Sequence, residues 1–359
     1  MKISVTIPTF NRAHLIEHAI DSVLKQTYAD VEVIVIDDGS TDNTAEVVAK
    51  YGDRVRYYRQ PNRGLGAARN AGLDQARGDL IAFLDSDDYW FDFKLALQAD
   101  LLTKQPDLDF VFTEFSILKD DGRMIPRGSR TWLASDKTWT DLYEQRHTGR
   151  ELGLSVSGAP AEVEIYTGPM FRQLLDEALV LPTTAIVRRT AIEGLRFTPG
   201  MTIYEDWEFF ARLARDRKGA FVDVETAVNR GHEEPGRLTR CSSLAKAECY
   251  LEILQRVWKT DARFMAQYPE VLRAAESAAT LAVAESAVLA GQSDAARLAL
   301  RQWSRIDGRS NAPKAAACAV SSVLPGGRTL FRAARFATNL VTRVVRGSDH
   351  GRIPVNPAA

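Results

Sequence analysis

The chain has 359 residues, 45% of them hydrophobic and 26% charged, and carries a formal net charge of -1. That length suits one large core plus an appendage. The balance of charges gives no reason to expect a nucleic acid or other polyanion as partner. Cys241, Cys249 and Cys318 lack metal-ligand spacing and fit a reducing compartment. The opening MKISVTIPTFNR lacks a signal peptide's apolar stretch, and no apolar run is long enough to span a bilayer. The expectation is a cytoplasmic protein, with room for peripheral contact at the inner face of the plasma membrane.

In chain order, residues 3–7 form a β-branched run. Leu15, Ile16, Ala19, Ile20, Val23 and Leu24 then recur at helical spacing. Residues 31–36 read as a second strand, and Asp42 or Asn43 can cap a helix reaching about Lys50. Residues 55–58 read as a third strand, 66–76 as a helix and 80–84 as a fourth strand. Strands alternating with helices predict an α/β fold with a parallel sheet and right-handed crossovers. In such sheets ligands bind beyond the carboxyl ends of the strands.

The strands end in PTFNR (8–12), DDGS (37–40), QPNRG (60–64) and DSDD (85–88), so these polar clusters share one edge. Taken singly, each has an ordinary reading: 37–40 is a turn with a cap, and Asp88 caps the helix carrying residues 93–102. Their convergence favours a site. In the stretch IAFLDSDDYWFD (81–92), Asp85 and Asp87 sit two apart. In an extended segment both side chains point the same way, which suits a hard divalent cation that keeps positions open for phosphate oxygens. Asp38 can accept hydrogen bonds from a base or ribose, with Thr9 and the backbone of Phe10 flanking the same base. A metal diphosphate beside a nucleoside pocket implies a nucleotide-linked substrate. The run GLGAAR (64–69) follows the third strand rather than the first, so it does not read as a dinucleotide fingerprint, and there is no P-loop motif.

Further along, Asp120, Asp121 and Gly122 mark a hairpin turn inside the long segment 116–180. LPTTAIVR (181–188) reads as a strand, and Glu205 and Asp206 open a helix with Phe209, Phe210 and Leu213 on its apolar face. Residues 243–306 are rich in Ala, Leu and Arg at helical spacing. Within them 284–290 and 295–303 form two helices joined by GQSD, like one tetratricopeptide-type hairpin without a second copy. From Arg328, residues Arg332, Arg335, Asn339, Arg343 and Arg346 make a helical stripe beside Leu330, Ala334, Ala337, Val341 and Val344, widened by Phe331 and Phe336. A basic amphipathic helix over 328–346 suits an anionic membrane surface, and suits equally well a helix docked on its own protein.

The segments VTIPTFNR, VIDDGSTDNT, NRGLGAARNAGL, GDLIAFLDSDD and EDWEFFARLA, in this order, resemble family 2 glycosyltransferases over residues 1–235. The resemblance implies a GT-A fold, a Rossmann-like mixed but mainly parallel sheet with flanking helices, here followed by an α-helical C-terminal appendage. It implies transfer of a sugar from a nucleotide-diphospho-sugar donor to a hydroxyl of a glycan, lipid-linked or other acceptor, with inversion and Mn²⁺ or Mg²⁺, in cell-surface glycan or polysaccharide synthesis. It also implies roles: Asp38 contacts the base, Asp87 binds the metal, and Asp85 lies near the ribose or the metal's waters. Thr9 and Arg69 line the nucleotide site, and Asp206, rather than Glu205, is the catalytic base. His232, in NRGHEEPGR, completes the metal or diphosphate shell, although Glu233, Glu234 and Pro235 depart from the family's commoner pattern. The implied layout is 1–235 as catalytic domain (1–115 for the nucleotide sugar, 116–235 for the acceptor), 236–310 as helical appendage and 311–359 as basic tail. A catalytically silent nucleotide-sugar-binding relative is the alternative; the joint presence of Asp38, Asp85, Asp87 and Asp206 favours the enzyme. A nucleotidyltransferase would need a Gly-rich loop after the first strand, which is absent.

Overall fold

The computed structural model describes residues 1–133, 137–160, 162–231, 241–306, 312–323, 329 and 331. The chain divides into two units, Met1–Arg240 and Cys241–Ala359. The first opens with β1 (Ile3–Thr9), α1 (Ile16–Leu24), β2 (Val31–Asp37), α2 (Thr44–Ala49), β3 (Val55–Arg59), α3 (Leu65–Gln75) and β4 (Leu80–Phe83). It continues with β5 (Tyr89–Trp90), α4 (Lys94–Lys104), β6 (Phe110–Leu118), β7 (Met124–Ile125), α5 (Gly128–Trp132), α6 (Trp139–Leu142), β8 (Gln145–Thr148) and β9 (Glu164–Gly168). It ends with β10 (Ile186–Arg188), α7 (Glu205–Asp216) and β11 (Gly219–Arg230).

The strands lie in the order β3-β2-β1-β4-β10-β6-β11-β9-β8, with β5 on β11 and β7 on β6. β1 is parallel to β2 and β4, and β2 to β3. β10 is inserted antiparallel between β4 and β6, and β11 runs parallel to β6. The sheet is mixed and mostly parallel, as expected. The carboxyl ends of β1 to β4, β6 and β11 therefore fall on one edge. Alternation along β1 sends Ile3, Val5 and Ile7 into the main core with Ile16, Ala19, Ile20 and Val23 of α1. The other face receives α3 and α7. There Gly72 lets α3 close on β1, since a Cβ would stand 2.9 Å from that of Thr6. The Phe83 ring meets Phe197, Phe209 and Phe210 edge-on at 5.6, 6.1 and 6.4 Å, which docks α7 beside the end of β4.

One local expectation is corrected, and one strand is new. The stretch 181–188 is a strand only from Ile186; Pro182–Thr184 is a 3-10 turn with proline at its start. Proline has no N–H to give a sheet ladder, so the strand begins after it. Tyr89 and Trp90, which carried no strand signal, pair with Val228 and Ala227. The hairpin at 120–122 is present, closed by Gly122 N–H on the Lys119 carbonyl at 2.9 Å.

The second unit holds α8 (Ser243–Val257), α9 (Ala262–Gln267), α10 (Pro269–Ala290), α11 (Ser293–Ile306) and α12 (Ala312–Val323). Gly291, at φ 79°, ends α10 in the left-handed conformation and makes the expected helical hairpin with α11. Leu244, Val288, Ala296, Ala299, Cys318 and Phe331 share its core. Phe331 belongs to the apolar stripe of the basic tail, so that position is docked. Apart from Thr329 and Phe331, the helix expected over 328–346 lies outside the described residues. Among the described residues no helix is long and apolar enough to cross a membrane, and Cys241, Cys249 and Cys318 are not joined in disulfides.

Candidate active site

The loops after β1, β2 and β3 are bound to one another. The Thr9 carbonyl accepts the Asp38 N–H at 2.9 Å. Asn11, at φ 52°, donates its N–H to Ser40 Oγ at 2.9 Å and accepts the Thr41 N–H on Oδ1 at 2.7 Å. Gly39 adopts φ 85°, and a Cβ there would stand 2.9 Å from the Asn62 nitrogen, so only glycine permits this approach. Asp38 is buried. Its Oδ1 accepts from Gln60 Nε2 at 2.7 Å and the Arg63 N–H at 3.0 Å, and its Oδ2 from the Gly64 N–H at 2.7 Å. An ionised carboxylate has about four acceptor positions, so capacity remains for a ligand. Thr9 Oγ1 is buried without a hydrogen-bond partner, and Phe10 is 44% exposed.

Residues 85–88 form a turn closed by the Asp88 N–H on the Asp85 carbonyl at 3.0 Å. The extended geometry expected for Asp85 and Asp87 is thus replaced by a bend with Ser86 and Asp87 at its centre. Asp88 does not cap α4, which starts behind Phe93 without a side-chain cap. Instead it is buried and accepts from Thr183 Oγ1 at 2.8 Å, Asn229 Nδ2 at 3.1 Å and the Arg230 N–H at 3.0 Å. Burial, with Asp87 and Asp85 alongside, holds its pKa well above the usual carboxylate range.

Arg69, only 2% exposed, joins this turn to α7. Its Nη2 donates to Asp85 Oδ1 at 2.8 Å and its Nη1 to Glu205 Oε1 at 2.5 Å, while the guanidinium lies 5.4 Å over the Phe197 ring. Burial alone would favour loss of its proton, but the carboxylates of Asp85, Glu205 and Asp206 outweigh that and raise its pKa. Both terminal nitrogens of Arg69, expected to line the nucleotide site, are thus committed to protein carboxylates. Tyr204, at φ 58°, turns the chain into α7, and Trp207 Nε1 anchors that turn on the Leu174 carbonyl at 2.6 Å. Burial pushes Glu205 up to about 7, against the pull of Arg69 and with help from Asp206. Asp206 is half-buried and accepts the Trp207 N–H at 2.7 Å. Burial raises its pKa too, opposed by Arg69 and aided by Asp85.

This donor set fits a hard divalent cation. The carboxylates around Arg69 outnumber its charge, and an excess of negative charge at a strand edge favours a cation. Among the described residues no group of three or more protein ligands is gathered, so phosphate oxygens and water would complete the shell, as is usual for Mg²⁺-type sites. His232 lies outside the described residues. A cavity of about 370 Å³ between α1 and β5, walled by His18, Asp21, Tyr89 and Arg230 among others, includes none of the carboxylates of the turn or of α7. Sequence reasoning missed Thr183 and Asn229; the available signal was that Asn229, like the other polar clusters, stands at the end of a strand on the same edge.

This sheet has the GT-A fold. TarS of S. aureus (residues 1-349), solved in complex with UDP-GlcNAc, superposes with a TM-score of 0.58 at 19% identity, covering 94% of this chain and 92% of that one. The mannosyltransferase PcManGT from Pyrobaculum calidifontis, solved with GDP-Man and Mn²⁺, gives 0.52 at 17% identity, covering 97% and 88%. The chain belongs to glycosyl transferase family 2. The family model matches residues 4–178, and an uncharacterized glycosyltransferase of Rickettsia typhi is 37% identical over 254 residues, 68% of this chain and 69% of the relative. The chain spans only 21% of the length of the first curated relatives that it matches.

Proposed function

We propose that the protein transfers a sugar from a nucleoside diphosphate donor to an acceptor hydroxyl in one inverting displacement, with Asp206 as base. The observation that carries this reading is the chain Asp85–Arg69–Glu205, which ties the helix start bearing Asp206 to the acid turn. A base and a donor-holding turn are thus fixed relative to each other through one buried guanidinium.

At the nucleotide end, Phe10 offers an exposed ring to the base, and Asp38 and Thr9 Oγ1 offer hydrogen-bonding capacity that the protein itself does not use up. Asp87, with Asp85 beside it, would hold the divalent cation, and His232 would add a ligand. When bound, that cation neutralises charge on the diphosphate. Asp206 takes the proton from the acceptor hydroxyl as its oxygen attacks the anomeric carbon; the new C–O bond forms opposite the breaking bond to the diphosphate. The raised pKa of Asp206 makes it a stronger base than an ordinary aspartate. An inverting displacement needs no covalent intermediate. The acceptor is a hydroxyl of a glycan, a lipid-linked glycan or another hydroxyl compound. Turnover of a panel of uridine and guanosine diphosphate sugars, with Mn²⁺ and with chelator, tests the reading. Release of nucleoside diphosphate only with Mn²⁺ supports it; binding without any turnover would leave a silent nucleotide-sugar-binding relative.

A further inference from the structure

Thr183 is fully buried in the 3-10 turn Pro182–Thr184, and its hydroxyl serves both ends of the acid turn. Thr183 Oγ1 accepts the Asp85 N–H at 3.3 Å and donates to Asp88 Oδ2 at 2.8 Å. Between those ends lie Ser86 and Asp87. The post that carries the hydroxyl is itself anchored. The Thr183 carbonyl accepts from Trp90 Nε1 at 2.8 Å, and the Thr184 carbonyl from Gln98 Nε2 at 2.8 Å and the buried Lys94 Nζ at 3.1 Å. From the other side Asp88 accepts from Asn229 and from the Arg230 N–H, at the end of β11. Asp88 thus closes a clamp between the turn, the 3-10 turn and β11, and His232 follows two residues after Arg230 in the chain.

We propose that Thr183 is a positioning residue, whose single hydroxyl sets the placement of Asp85 and Asp87 by holding the first and last residues of their turn. It acts through Asp88 and the Asp85 backbone. The proposal rests on the reading of Asp87 as the cation-holding residue.

The test is calorimetric titration with UDP and with GDP, each with and without Mn²⁺. Thr183→Val keeps the shape and removes the hydroxyl; Thr183→Ser keeps the hydroxyl. The expected result is a loss of roughly 10–100-fold in Mn²⁺-dependent affinity for Thr183→Val, the usual effect of removing a partner that orients a metal ligand. Metal-free affinity should be unchanged, and Thr183→Ser should match the wild type. Asp87→Ala, which should lose the Mn²⁺-dependent gain outright, is the reference. If Asp87→Ala loses that gain and Thr183→Val retains it in full, the positioning role is overturned and the function stands. If Mn²⁺ strengthens nucleotide binding in neither wild type nor variants, the metal reading fails and the role of Thr183 falls with it. Should circular dichroism show Thr183→Val unfolded, Thr183→Ala, which also removes the hydroxyl, takes its place, with wild-type Mn²⁺-dependent affinity again overturning the proposal.

Discussion

Asp87 sits in a turn whose closing carboxylate, Asp88, is held by Thr183, Asn229 and the Arg230 backbone, whereas Asp206 sits in the first turn of α7 behind a residue at positive φ. One acidic end of the site is braced from two other segments; the other is a helix start whose carboxylate is half-buried and raised in pKa. The contrast suits the two tasks proposed for these residues. A group that holds a cation needs its oxygens fixed, and a group that takes a proton needs a high affinity for it. Arg69 touches both ends, through Asp85 and through Glu205.

The contrast breaks most completely at Asp87. Asp87→Ala should abolish Mn²⁺-supported donor binding and turnover, measured by calorimetry and by nucleoside diphosphate release. Activity that survives excess chelator unchanged would remove the metal from the mechanism. Next in size is Asp206→Asn, which keeps the shape and removes the base. Turnover should fall roughly 10²–10⁴-fold, the usual size of a general-base contribution, with donor affinity little altered. Equal single-turnover rates for variant and wild type would exclude Asp206 as the base.

Arg69 should show what the two ends share. Arg69→Met leaves Asp85 and Glu205 without their buried partner, and breaking such a pair costs about 3–5 kcal/mol. Denaturant titration reads that loss; a variant as stable as wild type would mean that the bridge does not hold in solution. A smaller effect distinguishes the ends by pH. Glu205 is raised from 4.5 to about 7, so the fold prefers its protonated form. That contribution is fully present below the unfolded value of 4.5 and is lost as pH rises through about 7. The denaturation midpoint of the wild type should therefore decline across this window, and Glu205→Gln should flatten the decline. An equally steep decline in the variant would place the titrating group elsewhere.

Much of the parallel part of the sheet was legible in the sequence, because buried parallel strands are written as apolar runs and their ends as polar clusters. The turn at 85–88 was legible in composition but not in geometry: spacing alone suggested an extended pair, and the bend is imposed by Asp88 closing on Asp85. The ordinary reading of Asp88 as a cap does not hold either. Its partners Thr183 and Asn229 stand 95 and 141 residues away, and no local pattern encodes a contact that only the antiparallel insertion of β10 and the run of β11 bring about. Nothing local to Arg69 reveals that its charge is spent on Asp85 and on Glu205, 136 residues away. In the second unit the helical hairpin was written plainly by the glycine at its turn, while the basic tail left two readings open.

The smallest expected effect concerns that tail. Vesicle co-sedimentation should show weak binding to anionic lipid, with about 1 kcal/mol of attraction for each arginine near the surface, weakened by salt and lost on truncation at Gly327. Burial of Phe331 works against this, since one member of the apolar stripe is already covered. Equal sedimentation of full-length and truncated protein would assign the whole tail to docking.

The most direct test of the division between the two acidic ends is one set of calorimetric titrations with UDP and GDP, with and without Mn²⁺, on wild type, Asp87→Ala and Asp206→Asn. The expected result is that the Mn²⁺-dependent gain in affinity disappears in Asp87→Ala and persists undiminished in Asp206→Asn. Loss of that gain in both variants, or in neither, would contradict it.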